Sequence, residues 1–484
     1  MKSINKYYKN FRISQLLIAG LLVVGLGSCD NLLDTVPQTS ISAENAFDTP
    51  ARILGQVNGI YKSLKKADLY GGRYLLFQDV RGEEFINVTA NSYTAYNSWN
   101  NSYASGSSDV VNLWSAAYTT INNANILIDG LANVNGVIPD SVKTQYVAEA
   151  KFLRALSYFS LVTVFARPYN QDGGASAGLP LRLQAETSLA NNDLARSSVA
   201  KVYDQIISDL NDAEAGLPKS YSTSLLNTTR AHKNAAIALK TRVYLNKGDY
   251  SSVVAEAQKI VPQIVAPFAA TTGVKHKLQD IVTIFSSDYT TTESILSMPM
   301  STNDSYTGQS SIAYIYNDNS EYYLNPTGIF GEAQWGSTDS RRQFLRLVSG
   351  KYYFKKYAKP SPYLDYIPVI RYAEVLLNYA EAAAQVGNLT LAASLIKAVH
   401  ARSDQSFSFA NSALDTQAAL LNTILKERRI ELLGEGFRSN DLLRYLQPIP
   451  AKGSSSLQAP AVQPTDENYI FPLPSTEVST NKLL

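Results

Sequence analysis

The segment RYAEVLLNYAEAAAQVGNLTLAASLIKAVHAR, residues 371–402, reads as two helices joined by a tight turn at VGNL (386–389). Apolar and small residues recur three and four apart on both sides of that turn, which places them on one face of each helix. The same plan occurs at 231–262, AHKNAAIALKTRVYLNKGDYSSVVAEAQKIVP. Here Ala235 and Ala238 sit beside Leu239 and Tyr244, KGDY (247–250) interrupts, and Val254, Ala257 and Ile260 resume the pattern. One hairpin cannot bury its own apolar face, so two matching hairpins predict a scaffold of stacked helices.

Further helices extend the scaffold. Residues 144–165 carry Val147, Ala150, Leu153, Leu156 and Phe159 at helical spacing and stop before Pro168 and the DGG of 172–174. Val202, Ile206 and Leu210 form one stripe at 199–216, closed by Gly216-Leu217-Pro218, and a last hairpin is expected at 417–446. Alanine-lined helices with a turn in mid-repeat resemble tetratricopeptide repeats. Two stretches break the pattern: 86–109 and 301–340 have no sustained period and mix Asn, Ser, Gly and Thr with aromatic rings. Long irregular loops in a compact domain usually serve a purpose, so function is expected there.

The N-terminus has a different grammar. Lys2, Lys6, Lys9 and Arg12 precede an apolar run from Leu16 to Leu26, then Gly27, Ser28 and Cys29, the one cysteine in 484 residues. The run is shorter than the roughly 20 residues a membrane span needs, and it fits a cleaved export signal. A single thiol excludes an intramolecular disulfide. LGSC (26–29) resembles a bacterial lipobox, which implies acylation of Cys29 after removal of 1–28. The leader holds four of the 43 basic residues and none of the 41 acidic ones, so the remaining chain carries a net charge of −2 and offers no basic patch for nucleic acid. Tyrosine, at 31 residues against 16 Phe and 3 Trp, is the marked bias of composition.

Three C-terminal segments, RYAEVLLNYAEAAAQVG (371–387), KERRIELLGEGFRSNDLLRY (426–445) and YIFPLPSTEV (469–478), resemble the signature of the SusD/RagB family. LWSAAYTTINNANILIDGL (113–131), AEAKFLRALSYFSLVTVFARPY (148–169) and VYDQIISDLNDAEAGLP (202–218) are similar to its N-terminal half in order and spacing. The resemblance implies a mainly α SusD-like fold in which four tetratricopeptide-like helical hairpins support a loop-rich ligand-binding half. It also implies a lipid-anchored protein of the outer membrane, facing the cell exterior, that captures nutrient oligosaccharides for a SusC-like TonB-dependent transporter. The domain expectation is a signal at 1–28, a tether at 29–40 and a SusD-like domain at 41–484, with an N-terminal half to about 220 and a signature half from about 280. Peptide capture is the alternative cargo; a degenerate glycosidase and a passive transporter lid are alternatives of another class.

Charges within the signature read as ion pairs that lock helices. Arg371 and Glu374 are expected to share a helix face with Glu381, as are Glu427 and Glu431, while Arg438, Asp441 and Arg444 recur at three-residue steps. His232, His276 and His400 have no zinc-binding spacing, and neither a metal nor a cofactor is expected. GASAG (174–178) fits a nucleophile elbow at Ser176 by pattern alone, because it follows a helix where that elbow needs a strand. Asp79, Glu83 and Glu84 are the carboxylates best placed for glycosidase chemistry, with hydrogen bonding to ligand hydroxyls the simpler role. Sugar capture needs flat rings ringed by amide, carboxylate or guanidinium groups. The candidates are Asp79, Arg81, Tyr96, Trp99, Asn100 and Asn101 from the first region, and Tyr306 and Trp335 from the second. On this reading Trp99→Ala weakens glycan binding and leaves the melting temperature unchanged, whereas Trp114 belongs to the core.

Overall fold

The computed structural model describes residues 45–188, 190, 192–286 and 289–484. The expected leader, Cys29 and the tether lie outside the described residues. The chain divides into two units, Met1–Ile53 and Leu54–Leu484. The described part of the first is 45–53, which includes the start of helix α1 (Pro50–Leu64).

Helices dominate the second unit. Helix α2 (Arg73–Arg81) follows α1, and α3 (Ser108–Ala132) packs on α4 (Asp140–Phe165), which packs on α5 (Val199–Gly216). The hairpin expected at 231–262 is α6 (Lys233–Lys247) with α7 (Tyr250–Ile260), and that at 371–402 is α8 (Tyr372–Gln385) with α9 (Leu389–Ser403). The two turns share one solution. Gly248 and Gly387 take left-handed φ values of 74° and 85°, and the next residue, Asp249 or Asn388, caps the following helix through its side chain. Helix α5 packs on α6, α7 on α8, and α8 on α10 (Gln417–Glu431), so neighbouring pairs form a continuous row. Every residue of α8 from Tyr372 to Ala384 is buried, which explains why that segment reads as the most apolar of the scaffold.

Strands occupy the irregular regions. β1 (Phe85–Asn87), β3 (Tyr322–Leu324), β5 (Lys351–Phe354) and β4 (Leu345–Val348) form an antiparallel sheet in the order β1-β3-β5-β4. β2 (Ser294–Met298) pairs with β6 (Ile367–Arg371), and β7 (Lys452–Gly453) with β8 (Gln458–Ala459). The first sheet joins the two aromatic-rich stretches, because Ile86 lies opposite Tyr323. Pairing also corrects one expectation: Arg371 ends β6 opposite Ser294, in extended backbone, and α8 begins one residue later.

The signature charges form a buried network. Arg371 donates to Glu293 at 2.6 Å, to Glu431 at 3.0 Å and to Glu435 at 2.7 Å. Arg341 reaches Glu427 at 2.6 Å and Asp339 at 2.6 Å, and Glu374 pairs with Arg242 rather than Arg371. Asp441 sits between Arg428 and Arg444 on α11 (Arg438–Arg444), and Arg444 also holds Glu381. Burial alone would raise the Glu427 carboxyl, but Arg341 and His400 hold it down at about 2. Each such pair adds little over an apolar packing of the same shape, yet losing one partner leaves a bare charge in the core.

Candidate functional site

The two irregular stretches meet around Glu321. Its fully buried carboxylate accepts from Thr94 Oγ1 at 2.7 Å, from Asn319 Nδ2 at 2.6 Å and from Thr89 Oγ1. Tyr322 adds a hydrogen bond from its hydroxyl to the Thr94 carbonyl at 2.7 Å. Within the loop, Asn87 Oδ1 accepts from the Thr89 and Ala90 amides, and Asn91 Oδ1 from that of Tyr93. Asparagine turns of this kind shape a loop without a core beneath it. The consequence is a fixed loop that presents Tyr93 to solvent, 68 % exposed.

Neighbouring segments extend that surface. The turn at 92–94 packs beside the one at 308–310, and Arg73 Nη1 holds the Gln309 carbonyl at 3.0 Å. Lys65 anchors the strap before it by donating to the carbonyls of Pro299 at 2.6 Å and Asp304 at 2.8 Å. Tyr306 lies half-buried on this strap. On the other side, Arg346 donates from Nε to Asn317 Oδ1 at 3.0 Å and from Nη2 to Ser320 Oγ at 2.6 Å, with its guanidinium 5.5 Å over Tyr353. Tyr353 meets Tyr323 edge-on at 6.3 Å, and Lys351 lies 4.7 Å over Tyr323. The exposed Tyr93 ring, the part-exposed Tyr306 and Tyr353, amides and fixed cations thus share one hydrogen-bonded region.

Five of the eight candidate ligand residues lie elsewhere, inside the protein. Trp99 is 0 % exposed, donates from Nε1 to the Phe85 carbonyl at 2.8 Å and stacks on Tyr96 at 5.8 Å, so it has no face to offer a sugar. Trp335 is buried under the Arg342 guanidinium. Arg81 is spent on Tyr103 Oη at 2.9 Å and the Tyr469 carbonyl at 2.8 Å. Asp79 is buried and accepts from the Gly436 amide at 2.9 Å; burial pushes its carboxyl up to about 8. Asn101 is buried as well. An aromatic in a polar loop is as useful for plugging that loop to the body as for meeting a ligand, and Trp99 plugs it. Tyr96, Asn100 and Tyr306 are part-exposed. The spacing signal missed Tyr93, Asn317, Glu321 and Arg346: the grip of Glu321 on the Tyr93 loop spans more than two hundred residues, and Arg346 meets Asn317 from 29 residues away. Tyr93 was marked only by its place in an Asn/Ser-rich turn.

The carboxylates weighed for catalysis are also committed. Arg438 grips Glu83 at 2.6 and 2.9 Å, while Arg429 pairs with Glu84 at 2.6 Å. Burial opposes ionisation of Glu83, yet Arg438 and Arg429 hold it below the usual range. Ser176 sits in an exposed turn, bonded to Asp172, with no strand before it. Trp114 is buried on α3, as expected, and borders a cleft beside that helix.

Two family models match the chain in series: "Starch-binding associating with outer membrane" over residues 32–245 and "SusD family" over 283–484. A SusD superfamily protein of Bacteroides fragilis, solved at 2.05 Å, is 30 % identical and superimposes with a TM-score of 0.81 over 90 % of this chain and 99 % of its own. The chain belongs to the SusD family. SusD-like protein P38 of Formosa agariphila is 25 % identical over 97 % of this chain and 96 % of its own length. A laminarin binding SusD-like protein shares the fold, with a TM-score of 0.69 at 21 % identity over 90 % of this chain and 98 % of its own. The mainly helical architecture is therefore that of SusD-superfamily structures. Among the described residues no helix is long and apolar enough to cross a membrane, and no group of three potential metal ligands occurs.

Proposed function

We propose that this SusD-family chain captures glycans on the tyrosine-rich strip between residues 88–97 and 305–321, without turnover, and delivers them to a SusC-like outer-membrane transporter. The lipid on Cys29 holds it at the cell exterior. Tyr93 carries the reading: its ring is 68 % exposed on a loop pinned by a buried carboxylate, so a flat face is presented at little ordering cost. Tyr96, Asn100 and Tyr306 belong to the same region and complete the candidate ligand set. Amide and guanidinium groups nearby match sugar hydroxyls, and ring faces match the C–H side of a pyranose. Further support comes from the family description, which couples starch binding to the outer membrane, and from the laminarin binding neighbour.

The test is affinity for laminarin and starch oligosaccharides, and for a mixed peptide pool, in wild type, Tyr93→Ala and Tyr93→Ala/Tyr306→Ala. Each ring contributes about 0.5–1.5 kcal/mol, so the double variant should bind roughly five- to 150-fold more weakly with unchanged melting. Equal affinity in the double variant removes the strip from the site. Binding of peptides alone replaces the cargo, and release of reducing ends from the glycan shows turnover.

A further inference from the structure

A second cleft lies away from this strip, between α3 and the helix α12 (Ser475–Thr480). Its volume is about 430 Å³, within the range of small-ligand sites. Tyr118 and Asn122 line one wall and begin a ladder along α3. Tyr118, Asn122, Asn125 and Asp129, spaced four and three apart, bond in turn to the backbone of residues 180–186. Tyr118 Oη donates to the Pro180 carbonyl at 2.8 Å, Asn122 exchanges two bonds with Glu186 at 2.8 and 2.9 Å, Asn125 donates to the Arg182 and Gln184 carbonyls at 3.0 Å, and Asp129 accepts from the Ala185 amide at 2.8 Å. The opposite wall is Thr476, Glu477 and Thr480 of α12, and just beyond it Asn481 exchanges two bonds with Leu194 at 2.8 and 2.9 Å.

Arg182 lines the cleft between these walls. Its guanidinium pairs with Glu186 on one side and with Glu477 at 3.2 Å on the other, while Glu477 also accepts from Trp114 Nε1 at 3.3 Å. Both carboxylates keep part of their surface open, 31 % and 16 %, so lone pairs are left for a ligand. Trp114 and Tyr118, with ring centroids 4.7 Å apart, border the same space. We infer that this cleft is a second sugar site, taking one neutral sugar unit. The net charge of −1 disfavours anions, paired carboxylates accept from vicinal hydroxyls, the guanidinium donates to ring or hydroxyl oxygens, and the ring edges meet C–H groups. The inference rests on the reading that the chain captures glycans, and it differs from the strip in geometry: a cleft takes a chain end, an open strip takes a length of chain.

Ser115 is exposed at the rim of the cleft, so Ser115→Trp fills it without disturbing packing. Saturation-transfer NMR with glucose, galactose, mannose and N-acetylglucosamine, together with calorimetry of laminaritriose, is run on wild type, Ser115→Trp, Glu186→Gln and Tyr93→Ala. The expected result is at least one monosaccharide signal that Tyr93→Ala keeps, that Glu186→Gln weakens about fivefold and that Ser115→Trp abolishes at unchanged melting temperature. Signals in Ser115→Trp equal to wild type overturn the cleft and leave the strip standing. Loss of all glycan binding in Ser115→Trp with none in Tyr93→Ala upholds the cleft and removes the strip. If no sugar of the panel binds wild type, the assigned ligand class is wrong.

Discussion

Trp99→Ala separates a ligand platform from a loop anchor. The Trp99 side chain is fully buried, stacked on Tyr96 and hydrogen-bonded to Phe85, with the Lys452 ammonium 5.6 Å from its ring. Removing a buried Trp costs about 3–5 kcal/mol through lost transfer energy and the cavity left behind. The Phe85 carbonyl, left without its donor, adds about 1 kcal/mol at the low end of the penalty for an unpaired buried group. The unfolding entropy of Leu54–Leu484, at about 2.1 cal/mol/K per residue, is near 0.9 kcal/mol/K, so about 5 kcal/mol becomes a fall of about 5–6 °C in melting temperature. Trp99→Phe keeps most of the packing and should lose about half as much. Calorimetry and urea midpoints on both variants, with glycan affinity measured well below the transition, provide the readout. The outcome expected from loop chemistry alone, weaker glycan binding at an unaltered melting temperature, would refute the burial argument.

Three further outcomes are expected. In the folded chain Asp79 stays protonated up to about pH 8, whereas unfolded it ionises near 3.8, so it withdraws stability as pH rises from about 4 to 8. Asp79→Asn should therefore raise the unfolding free energy read from urea titration at pH 8 by an amount on the order of a few kcal/mol, with a higher urea midpoint, and have little effect at pH 4. His232 and His276 stack at 5.2 Å with their pKa values pushed down by burial to about 3 and about 4. Unfolded histidine takes up a proton below about 6.5, so the pair's contribution is complete above that value and is lost as pH falls toward 3. His232→Phe should narrow the difference in urea midpoint between pH 7 and pH 5, and an unchanged difference would sink that account. Glu321→Ala leaves Thr89 and Asn319 without their acceptor and Thr94 with the Asn91 carbonyl in place of the carboxylate, at about 1–3 kcal/mol. Hydrogen exchange should quicken at 88–97 and 317–321 and hold steady in α8; uniform acceleration would mean Glu321 supports the whole body rather than the loop.

The sequence by itself determined the helical scaffold. Periodicity at 231–262 and 371–402, with Gly248-Asp249 and Gly387-Asn388 at the turns, encodes helix ends in short-range chemistry that needs no partner to be legible. The family resemblance was legible for the same reason, since most of its segments are helical and all are ordered along the chain. The tertiary structure alone decided which rings face out. Trp99 and Tyr93 sit six residues apart in equally polar sequence, but a hydrogen bond to Phe85 turns one inward and the grip of Glu321 on Thr94 turns the other outward. Arg371 likewise reads as helical until β2 holds its backbone extended. Burial is settled by contacts between distant segments, and no local pattern carries that information.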